Sequence, residues 1–251
     1  MLLLIRPAGS NDRLANSAQS FGWPVIESPM TEIQAVDGGS ESRQLAMRLD
    51  RFDHVIFISQ HAVLMGLPRL SQFWPQWPLH LNWYAVGRQP APTLLSEGIS
   101  NVNFPEESGS AGLLALPSLM SPQGSTILIV KGVDGLDDLA TTLAQRQASV
   151  ECMTTYRRVP VIPKEFEDRP GGYVIPVYNS MVLPVLKTVL AKVPVQRQVL
   201  VALSDRIAER ATAIGFQKVL ISQNVGQDAV VASIKDARDW LTKTDSCRHH
   251  G

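Results

Sequence analysis

A chain of 251 residues, 45% apolar and 18% charged with a mean hydropathy of +0.02, is long enough for one large or two small globular domains. Its 23 Lys and Arg balance 23 Asp and Glu, so no global positive field draws in nucleic acid or a membrane surface, and any anion site has to be local. No apolar run approaches the ~18 residues of a membrane span, and the opening Met1 to Ile5 lacks the basic and long apolar regions of an export signal, so the expected location is cytoplasmic.

In chain order, apolar runs rich in Val, Ile and Leu predict strands at 2–5, 25–27, 54–58, 82–86, 101–104, 126–130, 149–153, 173–177, 198–203 and 218–221. Most are followed by helical-period segments, and Ser10, Ser59, Gly87, Ser108, Gly132 and Ser204 stand at the joints, as helix caps and tight βα turns require. The fold class is α/β with parallel sheets. Cys152 and Cys247 are far apart, the second in a polar tail with His249 and His250, and read as free thiols. His54, His61 and His80 share no i, i+4 spacing and flank no Cys pair, so no metal site is expected.

The chain also repeats itself. Tyr84-Ala85-Val86-Gly87 matches Val201-Ala202-Leu203-Ser204, with Gly98 on Gly215 and Val102 on Val219, each pair 117 apart. Val55, Ile56 and Ile58 fall on Val174, Ile175 and Val177 at 119, while Leu4-Ile5-Arg6 falls on Ile129-Val130-Lys131 at 125, which also carries Thr31 onto Tyr156. The pattern predicts two similar domains, one continuous at 38–155 and one assembled from 1–28 plus 164–251, with extended linkers at 29–37 and 156–163.

In open parallel sheets ligands bind beyond the carboxyl ends of the strands. The residues there are Arg6; Ser59, Gln60 and His61; Gly87 and Arg88; Lys131 and Gly132; Tyr178, Asn179 and Ser180; and Ser204, Asp205 and Arg206, with Arg157 and Arg158 on the second linker. Singly, each reads as a polar group beside a turn. Turned by two domains toward one cleft, as a set, they suit a polyanion. Neither G-x-x-x-x-G-K-[ST] nor a G-x-G-x-x-G after a strand is present, which counts against nucleotides, and Ser59 with His61 lacks the elbow and acidic partner of a hydrolase triad. Phe73, Trp74, Trp77, Trp83 and Tyr84 read as packing, and Glu106 and Glu107 as a solvated turn.

The run Leu4-Ile5-Arg6-Pro7, Val55-Ile56-Phe57-Ile58-Ser59, Tyr84-Ala85-Val86-Gly87, Leu113-Leu114-Ala115-Leu116-Pro117, Ile127-Leu128-Ile129-Val130-Lys131-Gly132, Thr155-Tyr156-Arg157-Arg158 and Ser204-Asp205-Arg206-Ile207-Ala208 resembles the uroporphyrinogen-III synthase family in order and spacing. The resemblance implies two flavodoxin-like domains joined by a two-segment extended linker. It implies conversion of the linear polycarboxylate hydroxymethylbilane into uroporphyrinogen III, a cyclising loss of water within haem and sirohaem biosynthesis. The hydroxyl leaves to give an azafulvene, ring D attacks through its substituted carbon to form a spiro-pyrrolenine, and fragmentation and reclosure invert that ring. It further implies no cofactor and transient contact with hydroxymethylbilane synthase; a monomer is the default expectation.

Tyr156 matches the family's linker tyrosine and is the candidate proton donor, since a phenol can give a proton without prior deprotonation. Arg6, Ser59, His61, Gly87, Arg88, Lys131, Gly132, Ser180, Ser204 and Arg206 are the candidate substrate-binding residues. The chain departs from the family where Ile58-Ser59 replaces Thr-Ser, where Leu136 follows Lys131-Gly132 without a second Arg, and at Pro90 and Tyr178-Asn179. Those departures leave a catalytically silent module that binds tetrapyrrole or another polyanion as the alternative.

Overall fold

A computed structural model of the chain describes residues 1–246 apart from Ala8, Gln89, Asp134, Leu136 and Val225, with side chains described as far as Leu241. Cys247, His249 and His250 lie outside the described residues. The elements are β1 (Leu2–Leu4), α1 (Asp12–Ser20), β2 (Val25–Glu27), β3 (Thr31–Ala35), α2 (Gly39–Met47), β4 (His54–Phe57), α3 (Gln60–Ser71), β5 (Asn82–Ala85), α4 (Ala91–Ser96), β6 (Val102–Asn103) and α5 (Ser110–Leu114). They continue with α6 (Pro117–Met120), β7 (Thr126–Gly132), α7 (Asp138–Gln145), β8 (Ser149–Pro160), β9 (Tyr173–Val177), α8 (Leu183–Val189), β10 (Gln198–Ala202), α9 (Asp205–Ala213), β11 (Lys218–Ile221) and α10 (Gln227–Ser246). Two compact units result: residues 1–32 with 159–251, and residues 33–158.

In the first unit five parallel strands run in the order β11-β10-β9-β1-β2. One face, with Leu2, Leu4, Val174, Val199 and Val201, is covered by Leu14 and Ala18 of α1 and Val230, Ile234 and Ala237 of α10. The other, with Leu3, Ile175, Val177 and Leu200, is covered by Leu186 of α8 and Ile207 and Ala211 of α9. The second unit repeats this plan with β6-β5-β4-β7-β8, its faces covered by α2, α3 and α4 on one side and α5, α6 and α7 on the other. Strand for strand, β1, β2, β9, β10 and β11 take the sheet positions of β7, β8, β4, β5 and β6. The second sheet is therefore a circular permutation of the first along the chain.

Strand pairing corrects one part of the repeat. Leu200 pairs with Ile175 and its counterpart Trp83 pairs with Val55, so Val55 corresponds to Ile175, a spacing of 120, and the match of Val55 to Val174 at 119 is one residue out. Leu2 with Val174 and Ile127 with His54 give the same answer from the other side. Every residue of β4 and β9 is buried, so hydrophobicity does not alternate along either strand and cannot mark which face a residue takes.

The segment 31–35, expected as part of a linker, is strand β3, and β8 continues to Pro160, well past the expected end at 153. Val36 N–H donates to Thr155 (3.0 Å) and Val161 N–H to Met30 (3.1 Å), so the two segments run antiparallel. Arg69 of α3 ties this ribbon to the second unit, donating to the carbonyls of Val36, Asp37 (3.0 Å), Thr154 (3.4 Å) and Thr155 (3.5 Å). A bulge interrupts β8: Lys131 pairs with Thr154 but Gly132 with Tyr156. The extra residue resets the alternation of faces, and Met153 and Tyr156, three apart, join the same core layer.

Candidate functional site

The bulge delivers Tyr156 to the carboxyl end of β7, level with Gly132. The ring lies against the strand backbone so closely that a Cβ on Gly132 would stand 2.7 Å from two of its carbons. Tyr156 is 2% exposed, and its hydroxyl meets half-buried groups from two elements. Ser59 Oγ is 2.9 Å away, and Arg158 Nη2 donates to the phenol oxygen at 3.4 Å with its guanidinium 5.4 Å from the ring centre. His61 sets its ring edge-on to the phenol at 5.7 Å. Ser59 also caps α3, its Oγ accepting from Ala62 N–H at 3.0 Å, which fixes where the hydroxyl sits. Ser59, His61, Gly132 and Tyr156 thus form one cluster, with Arg158 as its cation.

Lys131, a further cation at this end of the sheet, is 6% exposed and its ammonium is paired with Asp137. Sequence reasoning missed Asp137, which looks like any exposed acid before a helix. Beside this pair, burial pushes the Cys152 thiol above its ordinary pKa; the Lys131 charge pulls it back and Asp137 adds to the rise. Gly87 is buried against Ser108, whose Oγ would lie 2.2 Å from a Cβ at that position. Its lack of a side chain therefore serves the loop behind it. Arg88 is exposed, with its guanidinium 5.8 Å from the Phe104 ring centre.

In the first unit Arg6 donates to the Ser10 carbonyl at 2.7 Å and stacks on Tyr178 at 4.3 Å. Burial raises the Tyr178 pKa and the Arg6 charge opposes that rise. Asn179, where the second unit has Ser59, caps the following turn by accepting from Met181 N–H at 2.9 Å. Ser180 opens that turn, and Ser204 caps α9 through Ile207 N–H at 3.4 Å. Arg206 lies in the first turn of α9, exposed. Asn11, which no motif or apolar pattern marks, is buried beneath this loop and donates to the Arg6 carbonyl at 3.3 Å.

A cavity of about 280 Å³ lies elsewhere in the first unit, lined by Leu2, Leu14, Trp23, Ile234, Lys235 and Arg238. It sits at the amino end of β1, the opposite end of that strand from Arg6, and so away from the carboxyl-end residues. Among the described residues no group of His, Cys, Asp and Glu could hold a metal ion, and no helix is long and apolar enough to cross a membrane.

The chain is 26% identical over 247 residues to the uroporphyrinogen-III synthase of Salmonella typhimurium, covering 93% of this chain and 99% of that one. Against the Proteus mirabilis uroporphyrinogen-III synthase it is 29% identical over 171 residues, covering 66% and 84%. The crystal structure of the Helicobacter pylori uroporphyrinogen-III synthetase matches with a TM-score of 0.60 at 12% identity, covering 94% of this chain and 98% of that one. A mutant uroporphyrinogen III synthase from Thermus thermophilus matches at 0.54 with 15% identity, covering 94% and 98%. Both share the two-domain α/β fold. The family model for uroporphyrinogen-III synthase HemD matches residues 12–232, nearly the whole chain and both units, and the chain belongs to the uroporphyrinogen-III synthase family.

Proposed function

We infer that the chain carries out its family's reaction, the cyclisation of hydroxymethylbilane to uroporphyrinogen III, and we propose Tyr156 as the donor to the departing hydroxyl. The observation that carries the second part is a phenol held 2.9 Å from Ser59 Oγ and 3.4 Å from an arginine at the carboxyl end of a parallel sheet. In the first step the C–O bond breaks with its electron pair going to oxygen. That oxygen takes the Tyr156 proton and leaves as water, and the carbon skeleton keeps a positive charge spread into the pyrrole. Attack by the substituted carbon of ring D closes the spiro-pyrrolenine; fragmentation and reclosure invert the ring, and the proton released at the end returns to the phenolate. The net change is loss of water with no oxidation, so a placed proton donor and a shaped site meet its chemical demands.

Carboxylate recognition falls to other carboxyl-end residues, Arg6, Ser180, Ser204 and Arg206 of the first unit and Arg88 of the second, whereas Lys131, buried and paired with Asp137, and Gly87, buried against Ser108, drop out of that set. Exposed arginines and capped helix starts suit carboxylates. The bilane closes by itself to the type I isomer, which favours a short transit from hydroxymethylbilane synthase to a monomer of this protein in the cytoplasm. The test is purified protein with hydroxymethylbilane, scoring type III against type I product. An excess of type III is expected; tight binding without an isomer shift would identify a silent binding module.

A further inference from the structure

We propose that Ser59 and Arg158 are positioning residues that act through Tyr156, aiming its hydrogen at the substrate and receiving the charge that its departure leaves. This rests on the reading of Tyr156 as proton donor. A guanidinium has only donors, so the Arg158 contact at 3.4 Å makes the phenol oxygen an acceptor. Ser59 Oγ already accepts from Ala62 N–H at 3.0 Å, and its one hydrogen remains to be placed. With that hydrogen directed to Tyr156 across the 2.9 Å contact, the phenol oxygen accepts twice and its own hydrogen points away from both partners.

Transfer of that hydrogen leaves a phenolate facing Ser59 O–H and Arg158 N–H, so the two neutral-state hydrogen bonds become charge-assisted ones, which are shorter and stronger. The start of α3 adds to this. Its 12 residues align their dipoles with the positive end at Ser59, and no acidic side chain in the first turn cancels the field. Gly132 closes the other side, since the ring already rests on the strand there and cannot swing back. Ser59 is thereby removed from the carboxylate-binding set: its one hydrogen, which a carboxylate would need, is committed to Tyr156.

The decisive experiment is a double-mutant cycle between Arg158→Gln and Tyr156→Phe, read as kcat and KM for type III formation. Acting through Tyr156, Arg158→Gln lowers kcat about tenfold or more with KM within about twofold, and adds no further loss in the Tyr156→Phe background. Guanidinium ion restores part of the rate to Arg158→Ala but none to the Phe variant. Ser59→Asp, which keeps a capping oxygen but has no hydrogen to give, loses turnover while its melting temperature stays near that of the parent. A raised KM at unchanged kcat, or losses that multiply in the double variant, makes Arg158 a substrate-carboxylate ligand and overturns the proposal. Full turnover by Tyr156→Phe removes the donor reading itself, so the two failures are told apart.

Discussion

The two units set nearly the same five-stranded sheet under different strand tips. At the end of β7 stand Lys131 and Gly132, and at the equivalent end of β1 stand Arg6 and Pro7. Lys131 is buried and bound to Asp137, whereas Arg6 is half-buried and stacked on Tyr178. Ser59 and Asn179 cap equivalent turns, but only Ser59 reaches a phenol, because the position matching Tyr156 is Thr31 in the first unit. A duplicated scaffold thus carries a phenol bonded to a helix cap on one copy and an arginine stacked on a tyrosine on the other, with an exposed arginine, Arg88 or Arg206, near the strand ends of each. The scaffold leaves the strand tips free to diverge, since core packing fixes the strands themselves and places little demand on the loops at their ends.

The largest expected contrast is at Tyr156. Tyr156→Phe keeps the ring that fills the core layer and removes only the hydroxyl, so type III formation should slow by more than tenfold, toward the ~10²-fold typical of a placed general acid, with KM little changed. Unaltered initial rates would remove Tyr156 from the chemistry. Next comes the glycine beside it. Gly132→Ala puts a methyl 2.7 Å from the phenol ring carbons, and overpacking of this kind costs about 1–3 kcal/mol and displaces the hydroxyl from Ser59. Both the melting temperature and turnover should fall, while Pro7→Ala at the equivalent place in the first unit should leave turnover within about twofold. Equal effects at the two positions would dissolve the asymmetry. A smaller effect is expected for Arg206→Ala, one exposed cation among several that share the polycarboxylate: KM rises a few-fold and kcat holds. A pure turnover defect would put Arg206 in the chemistry.

Strands such as β4 were legible because burial on both faces gives them a continuous apolar run, Val55-Ile56-Phe57, and Ser59 was legible as a cap from its place between strand and helix. Strand β3 was not, because Thr31-Glu32-Ile33-Gln34-Ala35 has no apolar run; its order comes from backbone pairing to β8 and from Arg69, a residue far away in sequence. The bulge at Thr155 is equally silent in the sequence, and it decides which face Tyr156 takes. Lys131 was read as a cation at a strand tip without its carboxylate, since a loop separates it from Asp137 and only the fold brings the two charges together. In each case the missing information is a partner supplied by the fold or a register, neither of which local composition encodes.

The smallest effect expected is on stability against pH, and it too should separate the units. His54 opens β4 in the second unit, 7% exposed, where the first unit has Val174. Tyr84 gives its hydrogen to Ser118 Oγ at 2.8 Å, so the 3.3 Å contact from His54 is read as Nδ1–H donating to the phenol oxygen, the neutral ring in place. Burial holds the His54 pKa below its ordinary value, with neighbouring Asp53 pulling it partly back. Protons are therefore bound more readily by the unfolded chain. Above the ordinary histidine range both states are neutral and stability is flat; as pH falls below about 6.5 the unfolded state takes up a proton that the folded state resists, and stability declines until the folded pKa is reached. Asp53 does not blur this window, because its carboxylate is held below the usual range by Thr126 and titrates at more acid pH. Amide exchange followed from pH 7 to 5 should show protection falling in β4 and β5 through this group, with the β9 and β10 pair lacking that contribution. His54→Val, which copies the first unit's residue, should flatten the difference, and a decline that survives the substitution would trace the acid sensitivity to other groups.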